Sequence, residues 1–452
     1  MRGNDDRVAA GIHQLGVVPL LEACRAGRVS VVATTNHYLE RIARFDPALR
    51  AFTHVDADGA RAAARESARR WDAGTARPLE GVPIAVKANI DVAGLPVHGG
   101  IRALHQRIPA QDAEVIVRLK AAGAVILGML NMHEAALGVT TENAFFGNSQ
   151  NPHKAGHTPG GSSGGSGAAV AAGLCAAALG TDTLGSIRIP AAYCGISGLK
   201  PTNGLVSSQG LIPLVGWLDC IGPLARSVED VGAIMAQMAD LAEWAPIRRI
   251  ATLSSIDSVE QAPAVRAALA LSVDLLEGLG CTITRHQVAI DHREVRVAAF
   301  FECAREADVQ FGAMAATAPD GFSPYLRSCL ELGAGTDAAT ADRGRRIMDA
   351  AANELQAVLG MAEAVLLPTT PQAAFPHGGE APVSQADFTA LANLAGLPAL
   401  SIPAGWTAEG LPVGVQLVGR ARSETALLAL GRKLEAALNA WRPPPGFGAM
   451  SR

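Results

Sequence analysis

The run TPGGSSGGSGAAVAAG, Thr158 to Gly173, limits the folds open to this chain more than any other stretch. Six glycines and three serines in sixteen positions is the composition of a flexible linker. The run nevertheless leads without a break into an alanine-rich apolar segment, AAVAAGLCAAALG, that reads as buried. A linker lies between folded units, whereas this loop lies against the interior of one. Glycines in such a place serve backbone conformations and close approaches that a side chain would forbid.

The flanking segments indicate what encloses the loop. Apolar spacing predicts helices over 7–26, 30–45 and 56–73. GVPIAVKANIDVAG, residues 81–94, is a short β-rich run holding a single lysine, Lys87. AEVIVRLKAAGAVILGMLNMHEAALG, residues 113–138, reads as helix, glycine turn, strand and second helix, the alternation of a layered α/β protein. After the loop a helix is expected through AAVAAGLCAAALG, and short strands and turns through GTDTLGSIRIPAAYCG. From about 225 to 360 the chain reads as mainly helical, with one strand near RIATLSS. AEAVLLPTTP, PALSIPAG and LPVGVQLVG have the continuous apolar character of interior strands, and a last helix is expected over 423–440. With no repeat and no clear linker, a single α/β domain over residues 1–452 is expected, its core at about 75–235 and 363–435 and a helical excursion at about 240–360.

Composition excludes several classes of function. No uninterrupted apolar run reaches the roughly 18 residues of a membrane span, so no membrane partner is expected. MRGNDDRVAAGIHQLG lacks the basic stretch and apolar core of a secretory leader, which points to the cytoplasm. The net charge of −4, without a basic block, speaks against nucleic acid as a partner. The seven cysteines are scattered without C-x-x-C pairing and fit reduced thiols. No metal-binding motif and no cofactor fingerprint is present.

Three motif matches fail on their context. The loop satisfies G-x-S-x-G at Ser162 and at Ser163, but the polar, proline-broken NPHKAGHTP before it is not the strand that a nucleophile elbow requires. It lacks the G-K-[ST] of a phosphate-binding loop. S-x-x-K occurs in SGLK, but Pro201 follows at once and prevents the helix that would join serine to lysine. There remain serines on two glycine-bearing turns, Ser162 or Ser163 and Ser186, and one lysine in an apolar run. Serine needs a base to become a nucleophile, and a desolvated, neutral lysine can be that base.

Read together, GVPIAVKANIDV, PGGSSGGSGAAVAAG and GTDTLGSIRIPAAYCGISGLKPT, in this order and spacing, resemble the amidase signature family. NMHEAALGVTTENAFFGNSQNP, WLDCIGPLARSVED, GLPALSIPAG and GLPVGVQLVG extend the resemblance over residues 20–435. It implies an α/β fold with a large mixed sheet between helices, and amide hydrolysis by a Ser-cisSer-Lys set without cofactor or metal. Carried over by motif, Ser186 is the nucleophile, Ser162 the bridging serine after a cis peptide, and Lys87 the base. The backbone N–H groups of Thr183, Leu184, Gly185 and Ser186 form the oxyanion hole, and Ser163, Asp182 and Arg188 orient the set from behind. Phe145, Phe146 and Trp217 lie in segments expected to touch the substrate. Leu184 stands where the family commonly has glycine, which bears on substrate choice. NMHEAALG is similar to arylacetamide hydrolases, of the indoleacetamide and mandelamide kind, and TTEN to biuret-type amidases. The resemblance therefore implies an amidase acting on a small-molecule amide, as a homodimer. Two alternatives stand beside it: a glutaminase-type subunit of a tRNA-dependent amidotransferase, and a non-catalytic binding descendant of the fold.

Overall fold

A computed structural model describes residues 11–448; the first positions of the helix expected over 7–26 and part of the stretch read for a leader lie outside the described residues. Its centre is an eleven-stranded mixed sheet. In chain order the strands are β1 (Phe52–Val55), β2 (Pro83–Lys87), β3 (Val125–Leu130), β4 (Ala177–Asp182), β5 (Ser197–Lys200), β6 (Cys220–Ala225), β7 (Arg249–Leu253), β8 (Thr282–His286), β9 (Ala364–Pro368), β10 (Ala399–Trp406) and β11 (Pro412–Gly419). They lie in the order β1-β3-β2-β4-β6-β5-β10-β11-β9-β7-β8. Strands β3, β2 and β4 run parallel, whereas β6, β5, β10, β11 and β9 are joined by antiparallel ladders. Every residue of β2, β3, β4, β6, β9 and β11 is buried, so their apolar residues do not alternate with exposed polar ones.

The α/β expectation holds, and so do the strands read in AEAVLLPTTP, PALSIPAG and LPVGVQLVG. The described part of the helix expected over 7–26 is a 3-10 turn at Ile12–Gln14 and a helix only over Val17–Arg25, and four other local expectations do not hold. NMHEAALG is no helix: after β3 the chain makes one tight turn in which Ala135 and Ala136 have φ of 54° and 58°. Hydrogen bonds to non-local partners hold it there, from Ala135 N–H to the Gly99 carbonyl and from His133 N–H to that of Ser162. The single helix expected through AAVAAGLCAAALG divides into a helix, Gly164–Ala171, and β4, because Gly173 at φ 66° ends the helix in the left-handed manner. IRIPAAYCG contains a helix, Arg188–Cys194, whose Pro190 lies in the first turn, where a missing N–H costs nothing. The fourth miss is β8, an edge strand with mostly exposed side chains that alternate too weakly to stand out.

Candidate active site

Strands β2 and β4 are parallel neighbours, so Lys87, Thr181 and Asp182 all arrive at the same carboxyl end of the sheet. Ligands of open α/β sheets bind at this end. The glycine-serine loop and the turn after β4 close over it. Lys87 Nζ lies 2.7 Å from Ser162 Oγ and 2.7 Å from Thr181 Oγ1, and Asn89 Nδ2 donates to the same threonine at 3.2 Å. Lys87 is fully buried, and desolvation lowers its pKa to about 7 although Asp219 and Asp182 pull the other way.

The loop reaches this position through backbone contacts. The Gly161–Ser162 peptide is cis. The Ser162 carbonyl accepts from His133 N–H, and Thr141 Oγ1 donates to the Gly160 carbonyl at 2.8 Å while accepting from Gly164 N–H. Ser163 N–H donates to the Ser186 carbonyl at 3.2 Å, and Ser163 Oγ donates to the Thr181 carbonyl at 3.0 Å. Ser163 thereby ties the two serine turns together. A Cβ on Gly165 would lie 2.4 Å from the Asn131 carbonyl oxygen, so the glycines here serve the close approach of main chain to main chain.

Behind the Ser186 turn, Asp182 and Arg188 form an ion pair with no exposure on either side chain. Asp182 accepts from Gly185 N–H at 2.7 Å, from Ile187 N–H and from Asn393 Nδ2. Burial alone would raise its carboxyl, but the Arg188 charge and the hydrogen bonds of Arg188 and Asn393 outweigh it and hold the pKa at about 2. Arg188 also donates to the Thr389 carbonyl and to Gln416. The N–H groups of Thr183, Leu184 and Ser186 donate to no acceptor among the described residues, whereas that of Gly185 is committed to Asp182.

Ser186, Thr183 and Leu184 line a cavity of about 160 Å³ walled by apolar side chains, among them Leu137, Val139, Leu214 and Phe300. Its charged members are Arg296 and Asp387, which are paired with each other. Phe145, Phe146 and Trp217 do not line it. Phe146 stacks on His98 at 4.0 Å, Phe145 lies under Arg102, and Trp217 is held between Glu302 and Arg345.

Sequence reading missed Thr181, Asn89, Thr141 and Asp219, and the whole far wall of the cavity from 295–303 and 383–390. Thr181 and Asn89 had a usable signal, as polar residues near the end of one apolar strand and just past the end of another. The far wall had none, since its helices are ordinary in composition and distant in sequence.

Such a fold, with a desolvated lysine on Ser162 and Ser186 on the adjoining turn at the carboxyl ends of parallel strands, has the parts of an amide-cleaving hydrolase. Residues 33–428 match the sequence profile of the Amidase family, and the chain belongs to that family. A glutamyl-tRNA(Gln) amidotransferase component from Roseiflexus sp. (strain RS-1) is 36% identical, with 93% of this chain and 96% of that protein aligned. Among solved structures, the inhibitor-bound form of a vestigial protein complex tied to the origins of an s-triazine catabolic enzyme superposes with a TM-score of 0.88 at 32% identity, covering 95% of this chain and all of the other. The native peptide amidase of Stenotrophomonas maltophilia superposes with a TM-score of 0.83 at 29% identity, covering 95% and 98%.

These relatives correct one expectation. The exclusion of nucleic acid rested on charge, and the Roseiflexus relative is by name part of an amidotransferase of glutamyl-tRNA(Gln). A chain's own net charge says nothing of what an assembly around it handles. On the membrane, what stands is that no helix among the described residues is long and apolar enough to cross one.

Proposed function

We propose that this chain cleaves an amide through an acyl-enzyme on Ser186, as the glutaminase-type subunit of a tRNA-dependent amidotransferase. The observation that carries the chemistry is the contact of 2.7 Å between Ser162 and a fully buried Lys87 whose pKa is near neutrality. A neutral amine has one lone pair. Neutral Lys87 keeps one N–H on Thr181 and turns its lone pair to Ser162, which passes its proton to Lys87 as it takes the proton of Ser186. Ser186 Oγ then attacks the amide carbonyl. The unengaged N–H groups of Thr183, Leu184 and Ser186 receive the oxyanion, each such donor contributing about 2.7–4 kcal/mol to the transition state. Collapse breaks the C–N bond, the relay returns the proton to the leaving nitrogen, ammonia departs, and water releases the carboxylate. Asp182 and Arg188 hold the turn that carries Ser186.

The subunit reading takes its support from the amidotransferase relatives, aligned over 93% of the chain. A second reading is favoured by the apolar lining of the Ser186 cavity: a stand-alone amidase of a small neutral carboxamide, such as an arylacetamide. Ammonia release separates the two. Glutamine turned over only when copurified subunits and glutamyl-tRNA are present, with Ser186→Ala inert, is the expected result. Cleavage of phenylacetamide by the isolated chain, with glutamine untouched under every condition, would move the assignment to the second reading.

A further inference from the structure

The Ser186 cavity shares a wall with a second, larger one. The second has about 750 Å³ and a polar lining that includes Ser255, Glu260, His292 and Ser384. Arg296 and Asp387 line both, and no other residue does. Arg296 Nη1 lies 2.6 Å from each oxygen of Asp387, whose side chain is 3% exposed. One helical turn earlier, His292 Nδ1 contacts the Asp387 carbonyl at 3.0 Å, so the helix His292–Thr317 grips residue 387 at two points. The partition is one ion pair thick. Drawing Arg296 aside would leave a buried carboxylate without its counter-charge, which is strongly unfavourable, so the wall is a firm stop and not a yielding apolar surface.

The geometry points to Arg296 as a specificity-determining residue: its ion pair with Asp387 closes the Ser186 cavity and sets the longest acyl group that the enzyme accepts. The inference rests on the second reading above, that of a stand-alone amidase of a small neutral carboxamide. In a primary amide the leaving group is ammonia, so all of the substrate's length lies in the acyl part, and the depth of the cavity measures that length. The matching substrates are primary amides of short acids with a largely apolar chain.

The test is the chain-length profile of kcat/KM for straight-chain primary amides, from propionamide to decanamide, in the wild type, Arg296→Ala and Arg296→Lys. Ala should open the wall into the second cavity and raise the preference for long over short amides by about tenfold or more, the discrimination that a few methylenes carry in an apolar pocket. Lys, which keeps the ion pair, should retain the wild-type limit. Arg296→Met serves if thermal melting shows Ala unfolded, since it keeps the stem and loses the charge. Calorimetric binding of the same amides is measured in parallel on Ser186→Ala, alone and combined with Arg296→Ala. A length limit in binding that moves with Arg296, while the wild type turns over no amide of the series, would sink the stand-alone amidase reading and leave this inference standing. An unchanged limit in folded Arg296→Ala or Arg296→Met, or no binding at any length, overturns the inference itself.

Discussion

Lys87 is the residue whose environment says most about what it does. It sits at the end of an apolar strand with no carboxylate in contact, so desolvation dominates and its pKa falls from 10.5 to about 7. The proposed mechanism uses the neutral form as the base, so kcat/KM should rise with pH through about 7 and then level off, as read from an initial-rate profile with a soluble amide. The same shift has a sign for stability. Between about 7 and 10.5 the unfolded chain binds a proton that the folded one does not, so stability increases with pH across that window. Lys87→Met should therefore abolish turnover while raising the melting temperature at neutral pH and flattening its dependence on pH above 7. Thr181→Val is the complementary change. It removes the acceptor that directs the lysine's lone pair toward Ser162, and should lower kcat by about tenfold to a hundredfold with little change in KM, the range of a hydrogen bond to a charged or nearly charged group. Of these residues the lysine was legible in the sequence, as a lone charge in an apolar run. Thr181 was not, because a threonine in a strand is ordinary until its neighbour is known.

At the scale of elements, the glycine-serine loop is held by what surrounds it. Its glycines admit the Asn131, Ala51 and Val139–Thr141 main chain to distances that a side chain would block. Gly165→Ala places a methyl 2.4 Å from one carbonyl oxygen and 2.6 Å from another, both backbone atoms that cannot rotate away. It should destabilise the fold by about 1–3 kcal/mol, the usual cost of overpacking, measured by denaturant unfolding and accompanied by loss of activity. The misread elements make the same point from the other side. NMHEAALG has good helical composition, yet it is bent into a left-handed turn by hydrogen bonds to Gly99 and Ser162. Local propensity is worth tenths of a kcal/mol per residue, and tertiary hydrogen bonds to an enclosed loop outweigh it.

Across the whole molecule, Arg188 is the point where distant parts of the chain converge. It joins Asp182 at the end of β4, Thr389 and Asn393 on the far segment, and Gln416 on β11, all without exposure to water. Removing it leaves Asp182 as a buried charge, so Arg188→Met should cost about 3–5 kcal/mol, measured as a drop in unfolding free energy. Asp182 has its pKa depressed from 3.8 to about 2, so its contribution is complete above 3.8 and is lost as pH falls through about 2. Acid unfolding of the wild type should show that limb, and Arg188→Met should shift it upward. The sequence by itself determined the α/β class, the strands buried over their full length, and the serines and lysine around which the site is built. It could do so because continuous apolar runs and glycine-rich turns are local signals, and the composite motifs lie within a stretch of little more than a hundred residues. Only the tertiary structure decided the far wall of the cavity, the commitment of Gly185 N–H to Asp182, and the absence of Phe145, Phe146 and Trp217 from the pocket. Those outcomes depend on which side chains meet across segments up to two hundred residues apart, and burial against a distant neighbour leaves no mark in the local order of residues.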